Sequence, residues 1–115
     1  MKRNTVIAEV EHLVGNNAFG VGEVACVHKE DGQWIMVDND GKRWLVFGSN
    51  LRNKDYYRPI KEMSVIDIIY ELYERDGDYQ TVDWGFLKEA IETALRESKS
   101  CSIENVINYI MENLI

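Results

Sequence analysis

The sequence predicts an α+β fold: an N-terminal antiparallel β-meander or small barrel followed by three C-terminal α-helices. Three observations carry that reading. Apolar residues alternate with period two near the N-terminus, Asp-Gly pairs separate runs rich in Val, Ile and Trp, and apolar stripes at i, i+3, i+4 spacing begin past residue 64. At 115 residues the chain has the size of one domain, so 1–115 is read as a single unit with a β-rich half, 1–60, and a helical half, 61–115.

Within residues 4–12, Val6, Ala8 and Val10 alternate with Ile7, Glu9 and Glu11, as a strand with two unlike faces requires. The Gly- and Asn-rich stretch 15–22 is a loop. Strands are then predicted at 23–29, 33–37 and 42–47, separated by Glu30-Asp31-Gly32 and Asp38-Asn39-Asp40-Gly41. Asp-Gly supplies the positive φ angles that tight hairpins need. A short fifth strand falls near 55–60, ended or edged by Pro59, the only proline.

The first helix opens at Ser64, with Asp67 completing a capping box. Its core face is read as Val65, Ile66, Ile69, Leu72 and Tyr73, and Asp76-Gly77-Asp78 stops it. The second spans about 83–98, with Leu87, Ala90, Ile91, Ala94 and Leu95 as one stripe. The third is capped by Ser102 and presents Ile103, Val106, Ile107, Ile110 and Leu114. Over residues 4–58, the curled meander, long first loop and short hairpins resemble a small SH3-like or KOW-type barrel. That resemblance implies a fold and no particular activity.

Composition narrows the function classes. Cys26 and Cys101 form no CxxC pair and read as reduced thiols. Glu9, Glu11 and His12 interrupt any signal-peptide-like apolar run, and no stretch has the length of a membrane span. A cytoplasmic, membrane-free protein is expected. The loop at 15–22 lacks the Lys and Ser/Thr of a phosphate loop, since Glu23 and Val24 follow Gly22. Asp76, Asp78 and Gln80 start like a calcium loop, but Thr81 and Leu87 occupy the positions that need Gly and a bidentate Glu. Asp38 and Asp40 read as turn chemistry rather than as ligands. Cys26 and His28 share a strand face, yet a structural zinc needs four such ligands. No cofactor or metal is therefore expected, and no acid, base and oxyanion donor converge in sequence, so the chain is read as a non-enzyme. The second and third helices do not read as a DNA-binding pair, because the third offers Glu104, Asn105, Asn108, Glu112 and Asn113 without a cation.

Charge supplies the functional clue. The net charge is −7; residues 1–60 hold eight basic and eight acidic side chains, whereas 61–115 hold five and twelve. Asp67, Glu71 and Glu74 fall on one stripe of the first helix, Asp76, Asp78 and Asp83 continue it, and Glu89 and Glu92 add charge on the second. Only Arg75 stands against them between residues 62 and 87. The leading expectation is an acidic interaction protein that binds and regulates a partner with a basic surface. A concrete form is an inhibitor of a nucleic-acid-binding defence enzyme, of the kind phages make. The alternative is an RNA or single-stranded DNA module built on Lys42, Arg43, Arg52, Lys54, Tyr56, Tyr57 and Arg58, with Trp44 and Phe47 interleaved.

Overall fold

The computed structural model describes residues 1–98 and 102–114. Five antiparallel strands form one open sheet: β1 (Ile7–His12), β2 (Val24–Glu30), β3 (Gln33–Val37), β4 (Arg43–Val46) and β5 (Tyr57–Met63), in the order β4-β3-β2-β1-β5. The sheet does not close on itself, so β4 and β5 are both edges. Asp31 and Gly32 take φ of 52° and 80° at the β2–β3 turn, the left-handed pair that a two-residue hairpin demands. At the next turn the Asp38 carboxylate accepts from the Asp40 and Lys42 backbone N–H groups, so it serves the turn.

A short helix, α1 (Gly48–Leu51), joins β4 to β5. Four residues carry too little periodicity for the sequence to announce them. The fifth strand runs past Pro59 to Met63, because Pro59 lies on an edge strand where its missing N–H costs no ladder bond.

The helical half comprises α2 (Val65–Arg75), a 3₁₀ turn (Gly77–Thr81), α3 (Trp84–Glu97), α4 (Ile103–Tyr109) and a π-helical turn (Ile110–Leu114). Each of α2, α3 and α4 starts on a side-chain cap. Ser64 and Asp67 form a reciprocal capping box, Asp83 accepts from Phe86 N–H, and Ser102 accepts from Asn105 N–H. The core face of α2 departs from expectation in one place: Ile68 is buried and Ile66 is half exposed. At 100° per residue, Leu72 lies between Ile68 and Ile69 on an arc of about 100°, while Ile66 falls about 60° beyond Ile69.

The sheet separates two cores. On one face Ile7, Cys26 and Met63 meet Ile68, Ile69, Leu72, Leu87, Ile91 and Ile107 of the helices. On the other, Ala8, Val10, Ala25, Val27, Trp34 and Met36 are covered by Phe19 from the β1–β2 loop and Leu51 from α1. Asn16 anchors that loop, its side-chain oxygen accepting from Ala18 and Phe19 N–H at 2.8 Å. The Gly/Asn-rich stretch thus folds as a pinned cover. Period-two alternation along β1 is what feeds both cores from a single strand.

Candidate functional site

Two surfaces gather the residues that sequence pattern singles out. On the helical side, Arg75 is the pivot. Its guanidinium donates to Glu71 at 3.1 Å, to Glu104 at 2.9 and 2.5 Å, and to Asn108 at 3.2 Å, tying α2 to α4. The hydrogen bond from Arg75 is the main influence holding the Glu104 carboxyl below its ordinary value, and the same pair raises Arg75. Asp67, Asp76 and Asp83 cap the starts of α2, the 3₁₀ turn and α3. A capping carboxylate keeps its charge but is fixed in place. The carboxylates of Glu74, Asp78, Glu89 and Glu92 are exposed and make no hydrogen bond or ion pair among the described residues. Glu92 stands one helical turn from both Lys88 and Arg96, so the α3 face is mixed in sign.

The acidic surface is accordingly centred on Asp67, Glu74, Asp76, Asp78 and Asp83, with Glu71 taken up by Arg75 and Glu89 and Glu92 toward a mixed rim. Exposed rings lie among these carboxylates: Tyr70 is 61% exposed, Trp84 49% and Phe86 50%. From the sheet, Lys61 of β5 stands near Glu104 and helps hold its carboxyl down, with no ion pair between them among the described residues. Arg43 pairs with Glu30, and Arg58 with Glu11 at 2.7 Å, both within the sheet.

Those two ion pairs divide the basic set. Arg43 is committed to Glu30 and to the Arg96 carbonyl at 2.9 Å. Arg58 is committed to Glu11, while Lys54 and Tyr56 are exposed in the turn before β5. Lys42 sits over the Trp44 ring at 4.3 Å. Tyr57 is half-buried and lines a hollow of 360 Å³ with Phe19, Met36, Trp44, Phe47 and Asn50. Trp44 is 40% exposed and Phe47 68%, so neither belongs to the core. Asp38 steadies Trp44 by accepting from its indole Nε1–H at 3.0 Å, and this bond is the main reason its carboxyl is held below the ordinary range.

A second hollow, 320 Å³, involves Lys29, Glu30, Glu92 and Arg96 where the sheet meets α3. Two more, of 310 and 260 Å³, extend the 360 Å³ hollow. The 310 Å³ hollow shares Leu45, Val46 and Phe47 with it, and shares Lys29, Trp34, Gly48 and Arg52 with the 260 Å³ hollow, where Lys2 and Arg3 join. Lys2, Arg3 and Lys29 are missing from the set read off the sequence. Lys29 had a usable signal, because hairpin register about Asp31-Gly32 places it opposite Trp34. Lys2 and Arg3 had none, being brought here by tertiary structure alone.

Beneath Phe19 and Tyr57 lies His12, 1% exposed, stacked on Phe19 at 4.3 Å and edge-on to Tyr57 at 5.1 Å. Its Nδ1–H donates to the Glu23 carbonyl at 3.1 Å, and its Nε2 has no hydrogen-bond partner among the described residues. Burial holds its pKa below 6.5. His28 is also buried and lowered mainly by burial, against the opposing pull of Glu30. No cluster of three or more His, Cys, Asp or Glu positioned for a metal occurs among the described residues, and Cys101 lies outside them. No described helix is long and apolar enough to cross a membrane. No family model, curated protein or solved structure matches the chain.

Proposed function

We propose that this chain is a small non-enzymatic interaction protein that docks through its acidic helical end onto a partner with a basic surface. One observation carries the reading: Arg75, the only cation between residues 62 and 87, is turned onto Glu71 and Glu104, leaving Glu74 and Asp78 exposed beside three capping aspartates. Unneutralised charge of one sign steers encounter and rejects acidic competitors. Tyr70, Trp84 and Phe86 supply the apolar anchors that charge alone lacks. Regulation by occlusion follows if the partner's basic surface is a nucleic-acid site, as with a phage-type inhibitor of a defence enzyme. The β-half is read as an SH3-like curl in this scheme; the β4-β3-β2-β1-β5 order and the long β1–β2 loop support that reading, although the sheet is open.

The test uses the chain as bait in native extract, beside a variant carrying Glu74→Lys, Asp78→Lys and Glu89→Lys. These positions serve no cap or ion pair, so the variant should fold normally. The reading requires a partner released at moderate salt and not retained by the variant. A partner held equally by both, or unmoved by salt, ends it.

A further inference from the structure

The three hollows that share walls across the β-half form one groove, and its chemistry differs from that of the helical end. Four cations stand along it: Lys2, Arg3, Lys29 and Arg52. Trp34, Trp44, Phe47 and Tyr57 contribute rings, and Asn16, Asn50 and Gln33 contribute amides. No described carboxylate lines any of the three hollows. Two acids stand beside it: Asp38 is buried and already accepts three hydrogen bonds, and Glu62 accepts from the Lys2 backbone N–H and pairs with the N-terminal ammonium at 3.8 Å.

We propose that this groove binds a single-stranded nucleic acid, with phosphates drawn to Lys2, Arg3, Lys29 and Arg52 and bases stacked on the exposed faces of Trp44 and Phe47. Cations that track a backbone, aromatic faces that accept any base, and amides that can meet base edges are the combination such ligands need. The proposal is independent of the helical docking surface, and it changes the residue set that composition suggests. Arg43 and Arg58 drop out because Glu30 and Glu11 hold them. Lys29 enters because the hairpin sets it against Trp34, with its ammonium 5.7 Å from the ring.

The overall charge of −7 does not defeat this. The molecule measures 44 × 28 × 24 Å, and even its shortest extent is about three Debye lengths at physiological salt. The carboxylates of α2 and the 3₁₀ turn are therefore largely screened from a ligand on the far face of the sheet; Glu92, which shares the 320 Å³ hollow with Lys29, is nearer and has Lys88 and Arg96 one turn away.

A fluorescein-labelled 12-mer of oligo(U) or oligo(dT), followed by anisotropy, tests the proposal. Binding should weaken with a logarithmic salt slope of about −3, as expected for roughly four neutralised phosphates on a single strand. Lys29→Glu with Arg52→Glu should abolish it. Phe47→Ala, at a position 68% exposed and so safe for folding, should cost about fivefold or more while leaving the salt slope unchanged. In a Trp84→Phe background, the oligonucleotide should quench the remaining tryptophan fluorescence. Absence of binding in 50 mM salt overturns the proposal. So does a poly-glutamate peptide that binds as tightly and ignores Phe47→Ala, which would assign the groove to an acidic protein segment. Equal affinity for a duplex of the same length overturns it too, since paired bases offer no faces to stack.

Discussion

The helical end and the β-groove handle charge in opposite ways. In the sheet, Arg43 and Arg58 are held by carboxylates inside the fold, and the cations that line the groove lie beside aromatic rings, with the remaining acids of that half outside its lining. At the α2 end of the helical half, Arg75, the only cation between residues 62 and 87, is consumed by α2–α4 packing, and the carboxylates around it are left without a cation of their own. A charged residue is thus informative only after its partner is known. Arg43 and Arg52 look alike in the sequence, but Arg43 is a bolt between β4 and α3, whereas Arg52 faces a groove.

If the two surfaces share one cooperative body, a core substitution lowers the stability of both. Leu72 is fully buried in the core between sheet and helices. Leu72→Ala should cost about 2–5 kcal/mol, from lost transfer energy plus a residual cavity. Denaturant unfolding followed by tryptophan fluorescence and by far-UV circular dichroism should show both signals shifting together. A sheet signal that stays put while helicity is lost would make the halves independent, and each surface would then need its own stability account.

A smaller effect separates the halves by pH. Both histidines belong to the sheet, and burial holds both below 6.5. The unfolded chain therefore takes up protons near pH 6.5 before the folded one does. By linkage, stability is at its full value above that pH and declines as pH falls toward the folded values. The melting temperature should drop between pH 7 and pH 5, before the carboxylates titrate. His12→Phe should flatten part of that drop, because it removes the orphaned Nε2 while keeping a ring between Phe19 and Tyr57. A melting temperature indifferent to pH over that range contradicts the assignment.

Much of the fold was legible in the sequence because its signals are local. Ser64 with Asp67 fixed the start of α2, Asp31-Gly32 fixed a hairpin, and the Leu87–Leu95 stripe gave the buried face of α3. Ile66 was misplaced because an isoleucine beside a core valine looks like core unless the helical phase is followed to Ile68. Helix α1 and the open edge of β4 had no local signature. The acidic surface was legible in composition, but not the division between carboxylates that cap, pair or stand free, because that depends on where Arg75 points. Phe47 could be read equally as core or surface, since alternation along a four-residue edge strand is too short to choose.

That division can be sharpened by an effect near 1 kcal/mol. Ser64→Ala removes the hydroxyl that accepts from Asp67 N–H, and a lost cap of this kind costs about 1 kcal/mol. Asp67→Asn should cost a fraction of that while also lowering partner affinity, because Asp67 both completes the box and adds to the field. Urea midpoints read the stability and salt-dependent partner binding reads the field. If Asp67→Asn alters neither, Asp67 belongs to neither role.

The smallest stability change should accompany the largest change in binding. Glu74→Lys touches no cap, ion pair or hydrogen bond, so its effect on stability should stay within about 0.5 kcal/mol, as for most exposed sites. On the same α2 surface, Glu71→Lys both loses the Arg75 bond and sets two cations one turn apart, so its melting temperature should fall visibly. Equal melting temperatures for the two variants would mean that the Arg75 network adds nothing to α2–α4 packing. Arg75 would then be as available in solution as it looks in the sequence, able to neutralise the surface it adjoins, and the anionic character that distinguishes the helical end from the groove would be reduced accordingly.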